Sequence, residues 1–212
     1  MKKIHYIHFG NQRSGSSWLY SNLVKHPKVD YRGEKESQFI FEHSNDIEGY
    51  KRKFSDFDVS LNFNPMNWAL DSAQLLTLSK LATHCSICFR NPYDMLDSWY
   101  NFAGTRPINF VDRYIELNFV DYTTTLRRLE RYFALNVLMF DDLEADPQAF
   151  LNSVTTHLGL TSTTHYYNIE IANKKKSNDM LAYSDAQIDK INHCINEFSA
   201  YLNRDLSHWK KL

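Results

Sequence analysis

Apolar and polar positions alternate along the chain with two different periods. Short apolar runs predict buried strands at residues 3–10, 84–89 and 136–140. Between these runs, apolar residues recur every three or four positions, which is typical of helices with one buried face. The predicted helices cover residues 16–26, 46–54, 72–82, 92–102, 109–133, 147–158 and 185–202.

Strands that alternate with helices indicate an α/β fold with a parallel sheet covered by helices on both faces. Ligands of such sheets bind beyond the carboxyl ends of the strands. Two predicted strand ends, at Gly10 and Arg90, are followed by polar turns that lead into helices. The chain contains no repeat, low-complexity stretch or linker, so we expect a single domain over residues 1–212.

Composition narrows the class of protein. The chain has 212 residues, of which 43% are hydrophobic and 23% charged, as in globular proteins. A formal net charge of −1 argues against general nucleic-acid or membrane-surface binding. No long apolar run is present, so we expect a soluble, cytoplasmic protein without membrane insertion. Its three cysteines favour buried structural positions over a zinc or redox site, and we predict no metal.

The first polar turn, residues 10–18, follows a strand and opens a helix. Small residues allow backbone amides to approach an anion, and a helix N-terminus adds partial positive charge. Arg13 contributes a permanent charge. In a nucleotide triphosphatase P-loop, lysine would follow Gly15, but this chain has Ser16, which disfavours a kinase. An ordinary helix start with capping serines is the alternative interpretation.

The second polar turn begins with Arg90, whose guanidinium offers a fork for a phosphate. Ser98 lies eight positions further on, about two turns into the predicted helix, where it can share that phosphate. A capped helix with an exposed arginine is the alternative.

Together, these segments resemble the PAPS-dependent sulfotransferases, which use 3'-phosphoadenosine-5'-phosphosulfate (PAPS). Residues 12–19, QRSGSSWL, look like the family's 5'-phosphosulfate loop, and Arg90-Asn91-Pro92 with Ser98 and Tyr100 looks like its 3'-phosphate motif. Residues 140–143, 146–147 and 157–160 are similar to its late strand, acidic turn and helix. The resemblance implies a P-loop-kinase-like fold, a three-layer parallel sheet flanked by helices, with no metal requirement.

The resemblance also suggests roles for individual residues. It places the co-substrate on Arg13, Ser14, Gly15, Ser16, Ser17, Trp18, Arg90 and Ser98, and more loosely on the basic run Lys174, Lys175 and Lys176. Trp18 either seats the adenine or packs the helix, and the basic run could equally be a solvated face. The family usually has lysine where this chain has Arg13, so we expect Arg13 to act as an electrostatic clamp.

For the general base, residues 33–39 are similar to a lysine-glutamate stretch of the carbohydrate (heparan-type) branch. The match points to Glu36, with Glu34 and His43 as rivals and a solvated charged turn as the alternative. Ser60, Asn62 and Asn64 are weaker candidates for acceptor contact. No lysine accompanies them, which argues against an anionic polysaccharide.

We therefore expect a sulfotransferase that moves sulfonate from PAPS to a hydroxyl acceptor, carbohydrate-like by the match at Lys35 and Glu36. A P-loop-fold nucleotide kinase or phosphotransferase and a catalytically silent nucleotide-binding protein are the alternatives. The sequence predicts neither the acceptor's identity nor the oligomeric state.

Overall fold

The computed structural model describes residues 4–30, 35, 46, 48–49, 58–103, 109–160 and 180–212. The chain divides into two compact units. Unit 1 comprises residues 1–89 and 129–174, and unit 2 comprises residues 90–128 and 175–212. The single-domain assignment over residues 1–212 stays a prediction.

Unit 1 is built on a four-stranded parallel sheet. Its strands are β1 (Ile4–His8), β2 (Val59–Phe63), β3 (His84–Phe89) and β4 (Leu135–Met139), in the order β2-β1-β3-β4. All three pairings are parallel. Every residue of β2 is buried, as expected for a parallel sheet flanked by helices. Because β1 and β3 are neighbours, their carboxyl ends lie side by side. The predicted α/β class is confirmed.

Helices connect and follow the strands. In chain order they are α1 (Ser16–Leu23), α2 (Ser72–Ser79), α3 (Pro92–Ala103), α4 (Phe110–Glu116), α5 (Tyr122–Glu130), α6 (Phe140–Ala145), α7 (Pro147–His157) and α8 (Asp185–Leu202), with short 3₁₀ helices at Asn67–Ala69 and Ser207–Trp209. Within the described residues, no helix is long and apolar enough to cross a membrane.

Helices α1 and α7 supply much of the core of unit 1. Their buried apolar side chains join those of the strands in one hydrophobic cluster, which includes Tyr6, Leu19, Leu61, Phe63, Phe150 and Val154. Full burial of one such aliphatic or aromatic side chain contributes about 1.5–3 kcal/mol. This packing fixes the position of α1 and therefore of the turn that precedes it.

In unit 2, α8 packs through its buried face, which carries Ile191, Ile195 and Phe198. The Phe198 ring lies edge-on to Tyr122, with centroids 5.3 Å apart, and stacks on Trp209 at 6.5 Å. Helix α8 begins at a capping box on Ser184 and ends at Asn203, which adopts a left-handed conformation.

The predicted helix over residues 109–133 is wrong, because the chain forms α4 and α5 there instead. Asn118 has a φ of 58°, which an α-helix does not allow in its interior. The Asp121 carboxylate then accepts a hydrogen bond from the Thr124 amide at 2.9 Å and starts the next helix. The predicted strand over residues 136–140 also ends one residue early, since Phe140 is the first residue of α6.

The other predicted elements agree with the structure to within a few residues, apart from the predicted helix over residues 46–54. That segment lies mostly outside the described residues. β3 and α8 have the predicted bounds.

Candidate active site

The loop after β1 continues the hydrogen bonding to β3 as far as Asn11. The Asn11 amide donates to the Cys88 carbonyl at 2.8 Å, and the Cys88 amide donates to the Gly10 carbonyl at 2.6 Å. Gly10 has a φ of 101°, and a Cβ there would lie 2.9 Å from the Pro65 carbonyl oxygen. A side chain at this position would therefore push the loop away from the turn that follows β2.

The loop then turns tightly into α1. Arg13 and Gly15 both have positive φ, 59° and 85°. A Cβ on Gly15 would lie 2.8 Å from Cδ2 of Leu143 in α6. Gly15 is also the residue that precedes α1, and it provides no side-chain cap. Amides of a helix's first turn have no partner within the helix, so this end of α1 can bind an anion.

The three serines of the loop differ in exposure. Ser14 is 1% exposed, and its hydroxyl donates to the Gln12 carbonyl at 3.3 Å. Ser16 is buried at the start of α1, whereas Ser17 is exposed. The Lys35 ammonium donates to the Ser17 hydroxyl at 2.8 Å. The structure therefore brings a second cation to this loop in addition to Arg13, which is half-buried.

Sequence reasoning gave Lys35 no role at this loop. The contact joins residues 18 positions apart, and the charged run at residues 33–39, which contains Lys35, pointed to the general base rather than to this loop.

Trp18 packs into the core of unit 1. It is 7% exposed, and its ring lies edge-on to Phe150 with centroids 6.2 Å apart. Of its two predicted roles, helix packing is the one that these contacts support.

His8, the last residue of β1, is buried just before the loop. Its Nδ1 lies 2.8 Å from the Ser86 hydroxyl, which also contacts the Tyr6 hydroxyl. Its ring stacks on Phe63 with centroids 4.8 Å apart. Burial, reinforced by the charge of Lys35, lowers the pKa of His8 from 6.5 to about 3. The imidazole is therefore neutral at physiological pH.

In unit 2, Arg90 directly follows the residues of β3 along the chain and precedes α3. The Tyr122 hydroxyl donates to the Arg90 carbonyl at 2.9 Å. Asn91 caps α3, because its side-chain oxygen accepts from the Tyr93 amide at 3.0 Å and its carbonyl from the Met95 amide at 2.9 Å. Ser98 lies on α3, the helix on which it was predicted, and it is half-buried.

The proposed acceptor residues on β2 and in the turn that follows it already make other contacts. The Ser60 hydroxyl lies 2.6 Å from Nδ1 of His5. The Asn62 side-chain oxygen accepts from Nδ2 of Asn67 at 3.0 Å, and that of Asn64 accepts from the Met66 amide at 2.9 Å.

Several predicted site residues fall outside the described part of the chain. They are the base candidates Glu34, Glu36 and His43 and the basic residues Lys174, Lys175 and Lys176.

The cysteines are free thiols, and Cys85 and Cys88 are buried on β3. Burial raises the pKa of Cys85 to about 12, which makes its thiol a poor metal ligand or nucleophile. Across the described ranges, no three histidine, cysteine, aspartate or glutamate side chains are grouped so that they could hold a metal ion.

Comparison with known proteins identifies the family of this chain. The sequence model of the sulfotransferase domain family matches residues 4–211. Among proteins with curated functions, none matches.

Solved structures share the fold at low sequence identity. A sulfotransferase from Alicyclobacillus acidocaldarius is 14% identical with a TM-score of 0.68, and the match covers 100% of both chains. The sulfotransferase domain of the Synechococcus PCC 7002 olefin synthase is 15% identical with a TM-score of 0.63, over 97% of each chain. A mouse sulfotransferase complexed with PAP (3',5'-adenosine bisphosphate) is 12% identical with a TM-score of 0.61. The match covers 93% of this chain and 84% of that one. The chain thus belongs to the sulfotransferase domain family, whose members use PAPS, and it is a sulfotransferase.

Proposed function

We propose that this enzyme transfers the sulfonate group of PAPS to a hydroxyl of a carbohydrate-like acceptor. The observation that carries the proposal is the loop between β1 and α1. It combines two glycines at positive φ, a helix N-terminus without a side-chain cap, and two cations, Arg13 and Lys35. Backbone amides and fixed charges of this kind bind phosphate and sulfate oxygens.

Individual roles follow from the loop and from the sequence motifs. We assign the 5'-phosphosulfate to the loop residues Arg13, Ser14, Gly15, Ser16, Ser17 and Trp18, and the 3'-phosphate to Arg90, Ser98, Lys174, Lys175 and Lys176. Trp18 is the weakest member of this set, because its ring is packed in the core.

In the transfer, the acceptor oxygen forms a bond to sulfur while the bond from sulfur to the bridging phosphate oxygen breaks. Negative charge then develops on the leaving phosphate. Arg13 would stabilise that charge electrostatically, since an arginine is a poor proton donor. Glu36 is the proposed base that takes the acceptor's proton, with Glu34 or a histidine as the rival. Positioning and electrostatics supply most of the rate enhancement for this kind of transfer.

No metal enters this proposal. The expected cytoplasmic location stays a prediction.

Binding of 3',5'-adenosine bisphosphate (PAP), the expected product, tests the proposal. We expect PAP to raise the melting temperature in the presence of EDTA, by the equivalent of about 2.7 kcal/mol at 100 times its Kd. Transfer of radiolabelled sulfonate from PAPS to a panel of hydroxyl compounds should then follow. Adenosine 5'-monophosphate, which lacks the 3'-phosphate, is the matched control ligand and should bind more weakly.

Two results would count against the proposal. Stabilisation only by ATP with Mg²⁺ would indicate a phosphotransferase. Binding of PAP without turnover on any acceptor would indicate a silent nucleotide-binding protein.

A further inference from the structure

Two buried side-chain oxygens beside the loop lack hydrogen-bond donors. They are Oε1 of Gln12 and Oδ1 of Asn67, and neither makes a hydrogen bond to any part of the chain that the structure describes. Gln12 is 5% exposed and Asn67 is 1% exposed. Buried amide oxygens are almost always paired in folded proteins, so an unpaired one points to a missing donor.

The two residues belong to one contiguous piece of unit 1. Nε2 of Gln12 contacts the sulfur of Met66, the residue next to Asn67. The turn at residues 64–67 also packs on Gly10, where a Cβ would meet the Pro65 carbonyl at 2.9 Å. The Asn67 amide donates to the Asn64 carbonyl at 3.0 Å, which fixes the turn. Gln12 and Asn67 thus flank the carboxyl ends of β1 and β2, which are paired strands.

The side-chain oxygens of the two neighbouring asparagines differ from those of Gln12 and Asn67, because each of them has a hydrogen-bond donor. The side-chain oxygens of Asn62 and Asn64 already accept hydrogen bonds from Asn67 and Met66. Among the described residues of this region, Gln12 and Asn67 are the ones whose side-chain amide oxygens have no donor. Residues 59–70, which form β2 and the segment that follows it, contain no charged side chain.

We propose that Gln12 and Asn67 form an acceptor subsite that selects neutral compounds with several hydroxyl groups. Each unpaired oxygen would accept a hydrogen bond from one hydroxyl of the acceptor. An acceptor without spare hydroxyls leaves the oxygens unpaired, and a site built to bind a hydroxyl discriminates strongly against analogues that lack it. An acceptor with an anionic group is disfavoured, because that group would face the side-chain oxygens of Gln12 and Asn67 and no cation from residues 59–70. This inference rests on the proposed function.

The test compares three acceptors with PAPS as the donor: methyl β-D-glucopyranoside, 4-nitrophenol and D-glucuronate. For the unmodified protein, kcat/KM should be highest for the glucoside. Gln12→Met keeps the length of the side chain but removes its oxygen. We expect it to raise KM for the glucoside by about tenfold or more. The ratio of KM for the glucoside to KM for 4-nitrophenol should rise by a similar factor, which separates loss of acceptor contact from any effect of the loop substitution on PAPS binding. Gln12→Glu retains an accepting oxygen and should keep more of the glucoside activity than Gln12→Met.

Asn196→Met on the exposed face of α8 is the matched control and should change none of these constants. Equal changes of KM for the glucoside and 4-nitrophenol would overturn the inference, as would no change, which is expected if only water binds the two oxygens.

If Gln12→Met fails to fold, the kcat/KM values of the unmodified protein for the three acceptors test the inference instead. Sulfonation of 4-nitrophenol or D-glucuronate but not of the glucoside, or a preference for either of them over the glucoside, overturns the inference alone. Failure to sulfonate any acceptor, with or without PAP binding, overturns the proposed function instead.

Discussion

Arg13 combines a functional charge with an unfavourable backbone conformation. Its φ of 59° lies in the left-handed region, which costs a residue other than glycine about 1 kcal/mol or more. Its guanidinium is the charge that we assign to the leaving phosphate. The proposed function therefore favours arginine at this position, whereas the backbone conformation favours glycine.

Replacement of Arg13 should separate these two effects. In Arg13→Gly, we expect turnover to fall by about 10²–10³-fold, the loss typical when one charge-stabilising donor is removed. The melting temperature should not fall, because glycine adopts positive φ without strain. Steady-state kinetics and thermal unfolding measure the two quantities. Arg13→Lys, which keeps the charge, is the control and should retain turnover. Unchanged turnover in Arg13→Gly would remove Arg13 from the active site.

His8 should make stability depend on pH. Its pKa is lowered from 6.5 to about 3, so the folded protein binds no proton on His8 between these values, whereas the unfolded chain does. Stability from the neutral imidazole is thus fully present above pH 6.5 and is lost as the pH falls towards 3. His8→Gln abolishes this titration and can keep a hydrogen bond to Ser86.

Urea unfolding at pH 7 and pH 5 measures the effect. Between these pH values, we expect the unmodified protein to lose about 2 kcal/mol more unfolding free energy than His8→Gln. Parallel losses in both proteins would show that His8 titrates normally in the fold.

At the scale of elements, the sequence predicted best where a local signal marks each boundary. Helix α8 has its predicted bounds because Ser184 caps its start and Asn203 ends it. Asn118 ends α4 in the same left-handed conformation, but apolar residues continue at helical spacing past it and mask the break. The break depends on the backbone conformation of that one residue, so the sequence pattern predicted a single long helix.

The C-terminal 3₁₀ helix should stabilise unit 2 through one side chain. Trp209 is 2% exposed and stacks on Phe198 of α8. Trp209→Ala should lower the unfolding free energy by about 3–5 kcal/mol, because it removes a large buried ring. Chemical denaturation followed by circular dichroism measures this loss. Leu117→Ala, at a position that is 52% exposed, is the control and should change stability by about 0.5 kcal/mol or less. A similarly small loss in Trp209→Ala would mean that the end of the chain is not part of the stable core.

For the whole molecule, the order of strands and helices along the chain was enough to predict a parallel α/β fold, and the loop and arginine motifs were enough to predict the family. The details of the site were less accessible. Lys35 meets Ser17, and Gln12 meets Met66, only after distant segments pack together. Which buried oxygens remain unpaired is likewise decided by tertiary packing, so no local pattern indicates it.

The interleaving of the two units has a consequence for synthesis on the ribosome. Unit 1 is interrupted by residues 90–128, which belong to unit 2. Strand β3 ends at Phe89, but its partner β4 begins only at Leu135, so the sheet is incomplete when the first three strands have emerged. Until β4 is translated, one edge of β3 is left without its native partner, and exposed edges of this kind promote aggregation. We therefore expect the nascent chain to be most prone to aggregation during this interval.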